Sequence, residues 1–439
     1  MKLALVLPLC GALRAPQAPP TRNNINLRTS TLENPAARVE VPDDGSPMRP
    51  RIFTAWDENK ARLKSAFGFS DDHLAQYDAV SDADLADAYE TMQLCRQFEN
   101  ACAQSYMQGS IRGFMHLDNG QETIPALIAD QLTKDDIKYS YYREHTHALA
   151  SGVPPEKVMA ELFAKDGGTC RGTGGSMHVY DVDTHFQGGW ALVAEQLPYA
   201  AGAARSILLD RELGLTKAKA DGGDDDRLTV VFCGEGGSQN GRLAEVLNVA
   251  AKESLPLLIL CIDNGRAINT FTPDVAQNSE VWRAGEHYGV PGAKVDGQNL
   301  EDVLKTGRAV IDHVRSTSSP AILQVHTYRL QGHSPADPEH ERGRKAEKTW
   351  ARAEADPLKI FEALGALPED VLSDRKAKAS QVVKDAVAFA KASPPPPREL
   401  AKELEYPDKP DTDYNAKPAP VDGAAITARA VPAGNLADC

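Results

Sequence analysis

The chain has 439 residues, 42% of them hydrophobic and 25% charged, which is enough apolar mass for a full core and two or three structural units. Lys and Arg number 48 against 62 Asp and Glu, a formal charge of −14 that disfavours nucleic acid and anionic membranes as partners, so any phosphate-bearing ligand needs a local site. The seven cysteines (Cys10, Cys95, Cys102, Cys170, Cys233, Cys261 and Cys439) contain no CxxC pair, which fits a reducing compartment and argues against structural zinc.

Residues 1–13 place Lys2 before a short apolar run, too short and too proline-broken to span a bilayer, that resembles a signal-peptide core. The stretch to Leu32 carries Arg14, Arg22 and Arg28 with Ser, Thr and Asn and no acid, the composition of a transit peptide. Together they suggest a two-part plastid-type presequence; a plain non-globular tail is the alternative. Residues 82–108 space Leu85, Tyr89, Met92, Cys95, Phe98 and Cys102 by three and four, which predicts an amphipathic helix. From residue 228, LTVVFC, GEGGSQNG, LAEVLNVAAKE and LPLLILCIDN predict strand, glycine turn, helix and strand, both strands apolar throughout as in a parallel sheet covered on both faces. A third apolar strand starts at Ala321 and runs into a polar loop beginning QGHS, and residues 346–403 read as surface helices rich in Lys, Asp, Glu and Ala.

In a βαβ unit the two strands run parallel, so Glu235 and Asn264 both emerge at strand C-terminal ends and can converge on one ligand. The N–H groups of Gly236 and Gly237 lie near the start of the intervening helix, where a phosphate is favoured, and the carboxylate and amide suit a hard cation such as Mg²⁺. The same glycines fit a plain turn needing φ > 0 equally well. A dinucleotide fingerprint fails because Gln239 stands where the third glycine belongs, and no Gly-Lys-Ser/Thr follows to make a nucleotide-binding P-loop. A Rossmann dehydrogenase is further disfavoured because Asp263 comes too late to hold a ribose.

Five blocks in order, RGFMHLDNGQE (112–122), YYREHTHALASGV (141–153), CRGTGGSMHVY (170–180), GEGGSQNG with DNGRAI (234–241 and 263–268) and YRLQGHSPADP (328–338), carry a resemblance. Over about residues 80–345 the chain resembles the alpha subunits of the pyruvate dehydrogenase component of the 2-oxoacid dehydrogenase complexes, most closely the plastid type. The resemblance implies an α/β thiamine diphosphate-binding fold: a mostly parallel sheet flanked by helices, with a helical C-terminal segment. The expected divisions are a presequence at 1–52 and a non-globular tail at 406–439, both read from proline-rich composition, with the cofactor domain at 53–345, its active-site loop at 331–347 and C-terminal helices at 346–405. The resemblance also implies an α₂β₂ heterotetramer with a pyruvate dehydrogenase beta subunit, acetyl transfer to a lipoyl-bearing dihydrolipoamide acetyltransferase, and a plastid stroma location, with the mitochondrial matrix as alternative. Branched-chain 2-oxoacid and acetoin dehydrogenases are close alternatives, because substrate choice rests on few pocket residues.

Residue by residue, the resemblance assigns Mg²⁺ to Glu235, Asn264 and the backbone carbonyl of Arg266, with Gly236 and Gly237 in the turn. Tyr142 and Arg143 match the family's diphosphate-binding pair, where a permanently charged guanidinium forks onto two oxygens. Ala191 and Val193 fall where the family lines the pyrimidine, and both equally suit an ordinary core. His333 matches the histidine that reaches the diphosphate and the reaction centre, and His116 another that lines the pocket; an imidazole there can donate to an anionic oxygen and shuttle a proton. His145, His147 and His178 lie in matching blocks and read as interior structural groups. Ser334 occupies a position phosphorylated in mitochondrial members, where added charge would oppose loop ordering. Glu235 replaces the family's aspartate, Glu195 stands where a small residue is usual near the pyrimidine, and Gly237, Gly265 and Arg266 also depart. Since Mg²⁺ demands ligands at about 2.0–2.1 Å, the extra methylene of Glu235 needs a retracted side chain or a shifted ion. A chain impaired there would act as a scaffold or regulatory subunit.

Overall fold

The computed structural model describes residues 56–215, 225–268, 270–337 and 345–405; the presequence, the C-terminal tail and the middle of the 331–347 loop lie outside the described residues. Its frame is a six-stranded sheet of β1 (Ile137–Tyr141), β2 (Phe186–Trp190), β3 (Thr229–Gly234), β4 (Leu257–Asp263), β7 (Gly292–Asp296) and β8 (Ala321–His326). The spatial order is β2-β1-β3-β4-β8-β7 and every neighbouring pair is parallel. A two-stranded hairpin of β5 (Arg266–Ala267) and β6 (Thr270–Phe271) follows β4 directly.

The three apolar strands expected from the sequence are β3, β4 and β8, and every residue of β4 is buried. Their side chains alternate between two cores, because successive residues on a strand point to opposite faces. Val230, Phe232, Leu258, Leu260 and Ile262 join one core with the helices Asp82–Met107, Thr123–Gln131 and Leu300–Thr317. Val231, Cys233, Leu257, Ile259 and Cys261 join the other with the helices Gln196–Leu213 and Gly241–Glu253. The long N-terminal helix spans Asp82–Met107, opened by Ser81, whose hydroxyl caps the Asp84 N–H at 3.1 Å. Its Cys95, Phe98 and Cys102 share a third core with Val383, Ala386 and Ala390 of the helix Glu369–Ala392, so that charged C-terminal helix closes a core rather than merely coating the surface.

The chain leaves β1 for β2 on one side and resumes with β3 on the other, so strand order reverses between β1 and β3. Ligands in open α/β sheets bind beyond the strand C-terminal ends at such a reversal. Residues 142–143 follow β1, 235–237 follow β3 and 264–266 follow β4, which sets the candidate residues around that crevice.

Candidate active site

A cavity of about 440 Å³ opens at the reversal, within the range typical of small-molecule sites. Every residue that the resemblance assigns to the cofactor, the cation or catalysis lines it: His116, Tyr142, Arg143, Ala191, Val193, Glu235, Gly236, Gly237, Asn264, Arg266 and His333. Val193 is 52% exposed on the rim, so it is not a core residue.

Glu235 and Asn264 meet as expected of adjacent parallel strand ends. The Asn264 N–H donates to Glu235 Oε2 at 3.3 Å, and Glu235 is 3% exposed. Burial, and then the nearby Asp263 carboxylate, push the Glu235 carboxyl above its ordinary range, a cost that a bound cation would relieve. Asn264 Oδ1 is buried and has no hydrogen-bond partner. An oxygen left bare beside a strained carboxylate fits a divalent cation. Among the described residues, another set of metal-capable side chains, Glu99, Cys102 and His145, is engaged internally: Glu99 accepts the Asp118 N–H at 3.0 Å and faces His145 Nδ1 at 3.0 Å, and His145 Nε2 faces the Ser176 hydroxyl at 2.7 Å.

The glycines after β3 do not serve a left-handed turn. Gly236 has φ −66°, and a Cβ there would stand 2.7 Å from the Ala267 Cβ, so close approach of the hairpin is what requires glycine. The left-handed residues of this cavity are Ala194 (φ 64°) and Ile268 (φ 57°), neither a glycine, a form of backbone strain that clusters at functional sites.

Across the cavity, Arg143 is 2% exposed. Its guanidinium donates to the Leu117 carbonyl and, at 3.3 Å, to the His333 carbonyl, while Nε has no partner. No carboxylate pairs with it among the described residues, and a buried unpaired cation is costly, so the arrangement fits an anion such as a diphosphate. The His116 and His333 rings lie 4.8 Å apart edge to face, with Tyr142 4.5 Å from His116 and 5.7 Å from His333. Burial first, and Arg143 second, hold His333 down to about 4 and His116 to about 2, so both imidazoles are neutral near pH 7. His116 Nδ1 is buried without a partner, and Asp337 accepts the His333 N–H at 2.8 Å, tying the start of the 331–347 loop to itself. His145 and His147 are fully buried, His147 facing the Ser140 hydroxyl at 2.8 Å, whereas His178 is only half-buried, its ring facing the Gly189 carbonyl at 3.1 Å; none of the three lines the cavity.

The dehydrogenase E1 component family matches this chain over residues 90–399. The chain belongs to that family. It is 37% identical over 360 residues to the chloroplastic pyruvate dehydrogenase E1 component subunit alpha-3 of Oryza sativa subsp. japonica, covering 79% of this chain and 83% of that one. It is 38% identical over 322 residues to the chloroplastic subunit alpha-3 of Arabidopsis thaliana (73% and 74%), and 32% identical over 354 residues to the pyruvate dehydrogenase E1 component subunit alpha of Rhizobium meliloti (80% and 97%).

This E1 component lines its cavity with further residues that sequence reasoning did not single out: Tyr141, Met177, Ala194, Gln196, Ala267 and Ile268. Tyr141, Met177, Ala267 and Ile268 sit inside the motif blocks and were findable there; Ala194 and Gln196 sit outside them and carry no local signal. Asp118 and Gln121, within the first block, were also passed over, and they stand directly behind Asn264.

Proposed function

We propose that the chain is the alpha subunit of a plastid pyruvate dehydrogenase E1 component that binds thiamine diphosphate and Mg²⁺, decarboxylates pyruvate and passes the acetyl group to a lipoyl-bearing acyltransferase. The observation that carries this reading is one cavity lined both by a buried guanidinium that no carboxylate pairs among the described residues and by a bare amide oxygen whose residue bonds a buried carboxylate. In it, Arg143 and Tyr142 would hold the diphosphate, while Glu235, Asn264 and the Arg266 carbonyl would hold the cation. Thiamine diphosphate, when bound, supplies the electron sink that decarboxylation of a 2-oxo acid requires. His333 and His116, neutral and set at an angle against the Tyr142 ring, can donate to substrate oxygen or take up a proton at a ring nitrogen. An anion beside Arg143 would relieve the part of the depression that its charge adds to burial and move both histidines upward.

A beta subunit completing an α₂β₂ assembly is supported by apolar exposure at the rim: Leu192 at 65%, Tyr199 at 52% and Ile268 at 55% stand open to solvent beside the cavity-lining residues. The chloroplastic relatives and the composition of residues 1–32 support delivery to the plastid stroma. The test is calorimetric titration of thiamine diphosphate into the chain purified with its beta partner, with and without millimolar Mg²⁺, followed by turnover of pyruvate, branched-chain 2-oxo acids and acetoin. Mg²⁺-dependent binding and a pyruvate preference are expected. No binding at all would leave the chain a scaffold, and preference for another substrate would move it to a sister enzyme.

A further inference from the structure

Behind Asn264 runs a line of buried hydrogen bonds that ends on a carboxylate. Asp118, fully buried, accepts from the Thr146 hydroxyl at 2.6 Å through Oδ2 and from the Gln121 side-chain amide through Oδ1. Gln121, also fully buried, uses its Oε1 to accept from the Thr327 hydroxyl at 2.9 Å and from Asn264 Nδ2 at 3.2 Å. The direction of this line follows from donor and acceptor chemistry once Asp118 is ionised. A carboxylate only accepts, so above the pH at which Asp118 loses its proton the end of Gln121 facing it must be the NH₂ and its opposite end the oxygen. That oxygen in turn requires the NH₂ of Asn264, and the only atom left to face the cavity is Asn264 Oδ1, the one found buried and unpartnered.

Resting on the cofactor reading above, we propose that Asp118 and Gln121 are positioning residues: they transmit acceptor polarity to Asn264 so that its amide presents oxygen, and never nitrogen, to the cation. An asparagine is a useful cation ligand in only one of its two amide orientations, because an NH₂ turned toward a divalent ion offers no lone pair. Strand register brings Asn264 beside Glu235 but does not choose between these orientations; the line through Gln121 does. Neither Asp118 nor Gln121 lines the cavity, so both act on the cation only through Asn264.

The experiment measures Mn²⁺ affinity by electron paramagnetic resonance in the alpha-beta complex with thiamine diphosphate, for wild type, Asp118→Asn, Gln121→Met and the double variant, with thermal unfolding in the absence of metal as the control for fold. Asn at 118 offers an NH₂ that lets Gln121, and then Asn264, reverse without changing shape. Asp118→Asn and Gln121→Met are each expected to weaken Mn²⁺ at least fivefold with little change in metal-free melting, and the double variant to be no weaker than Gln121→Met alone. Unchanged Mn²⁺ affinity in Asp118→Asn overturns the proposal. So does an Asp118→Asn effect that persists undiminished in the Gln121→Met background, since that is long-range charge rather than amide polarity. Should Asp118→Asn fail to assemble, Gln121→Met decides alone, fivefold weakening supporting the relay and an unchanged affinity refuting it. Failure of the wild type to bind Mn²⁺ would instead remove the cofactor reading itself.

Discussion

Glu235 and Asn264 stand one and two residues beyond the region where β3 and β4 pair from Thr229↔Leu257 to Gly234↔Ile262, so sheet register sets their separation. Arg143, His116 and His333 come instead from three segments far apart in the chain, and are tied together by single contacts, Arg143 to the carbonyls of Leu117 and His333 and ring against ring at His116. The acidic wall is thus built by backbone geometry and the cationic wall by side-chain contacts. A wall set by sheet register is rigid, whereas one held by single side-chain contacts can rearrange when a ligand enters.

That contrast is broken most directly at His333. Replacement by Ala should lower acetyl transfer to lipoamide roughly 10²-fold or more, the usual worth of a general acid or base, while half-saturation by thiamine diphosphate moves less than about tenfold. Normal turnover of the variant would show that the loop wall positions nothing in the chemistry. Arg143→Ala comes next: removing a buried, charge-assisted donor set should weaken thiamine diphosphate about 10- to 100-fold by calorimetry. Because Arg143 also holds the His333 carbonyl, protease sensitivity near residue 333 should rise in the same variant. An unchanged affinity would place the diphosphate elsewhere.

Legibility in the sequence divides along a similar line. β3, β4 and β8 were readable because strands buried on both faces leave continuous apolar runs. β1 (IKYSY), β2 (FQGGW) and β7 (GAKVD) were not, since each carries a residue that argues against a strand until its tertiary partner is known. Lys138 is buried in β1 because its amine reaches the Thr133 carbonyl at 2.6 Å, and Lys294 in β7 because it pairs with Glu280. Gly189 in β2 leaves the space that the buried Glu144 carboxylate fills. At the site, motif blocks located the cavity-facing residues, whereas Gln121 and Asp118 gave no sign of their role: which residue stands behind another is a matter of packing, not of spacing along the chain.

The smallest effect expected lies under the cationic wall, at His147, whose ring is fully buried 4.5 Å from the Phe232 ring. Burial first, then Arg143 and His145, hold its pKa down to about 3 against an ordinary value of 6.5. Between those values the unfolded chain carries a proton on this residue that the folded chain does not, so its contribution is complete above pH 6.5 and falls away as the pH drops toward 3. Asp118, raised by burial to about 7, acts in the opposite sense, because the folded chain then binds the proton first, and total stability therefore conceals either term. Comparison with His147→Gln isolates one of them. Urea unfolding at pH 7.5 and 5.5 should show the stability gap between wild type and variant shrinking by about 1 kcal/mol at the lower pH, the worth of one histidine proton across one unit below its unfolded value. A gap independent of pH would mean that His147 is solvated or charged in the native state rather than held neutral by burial.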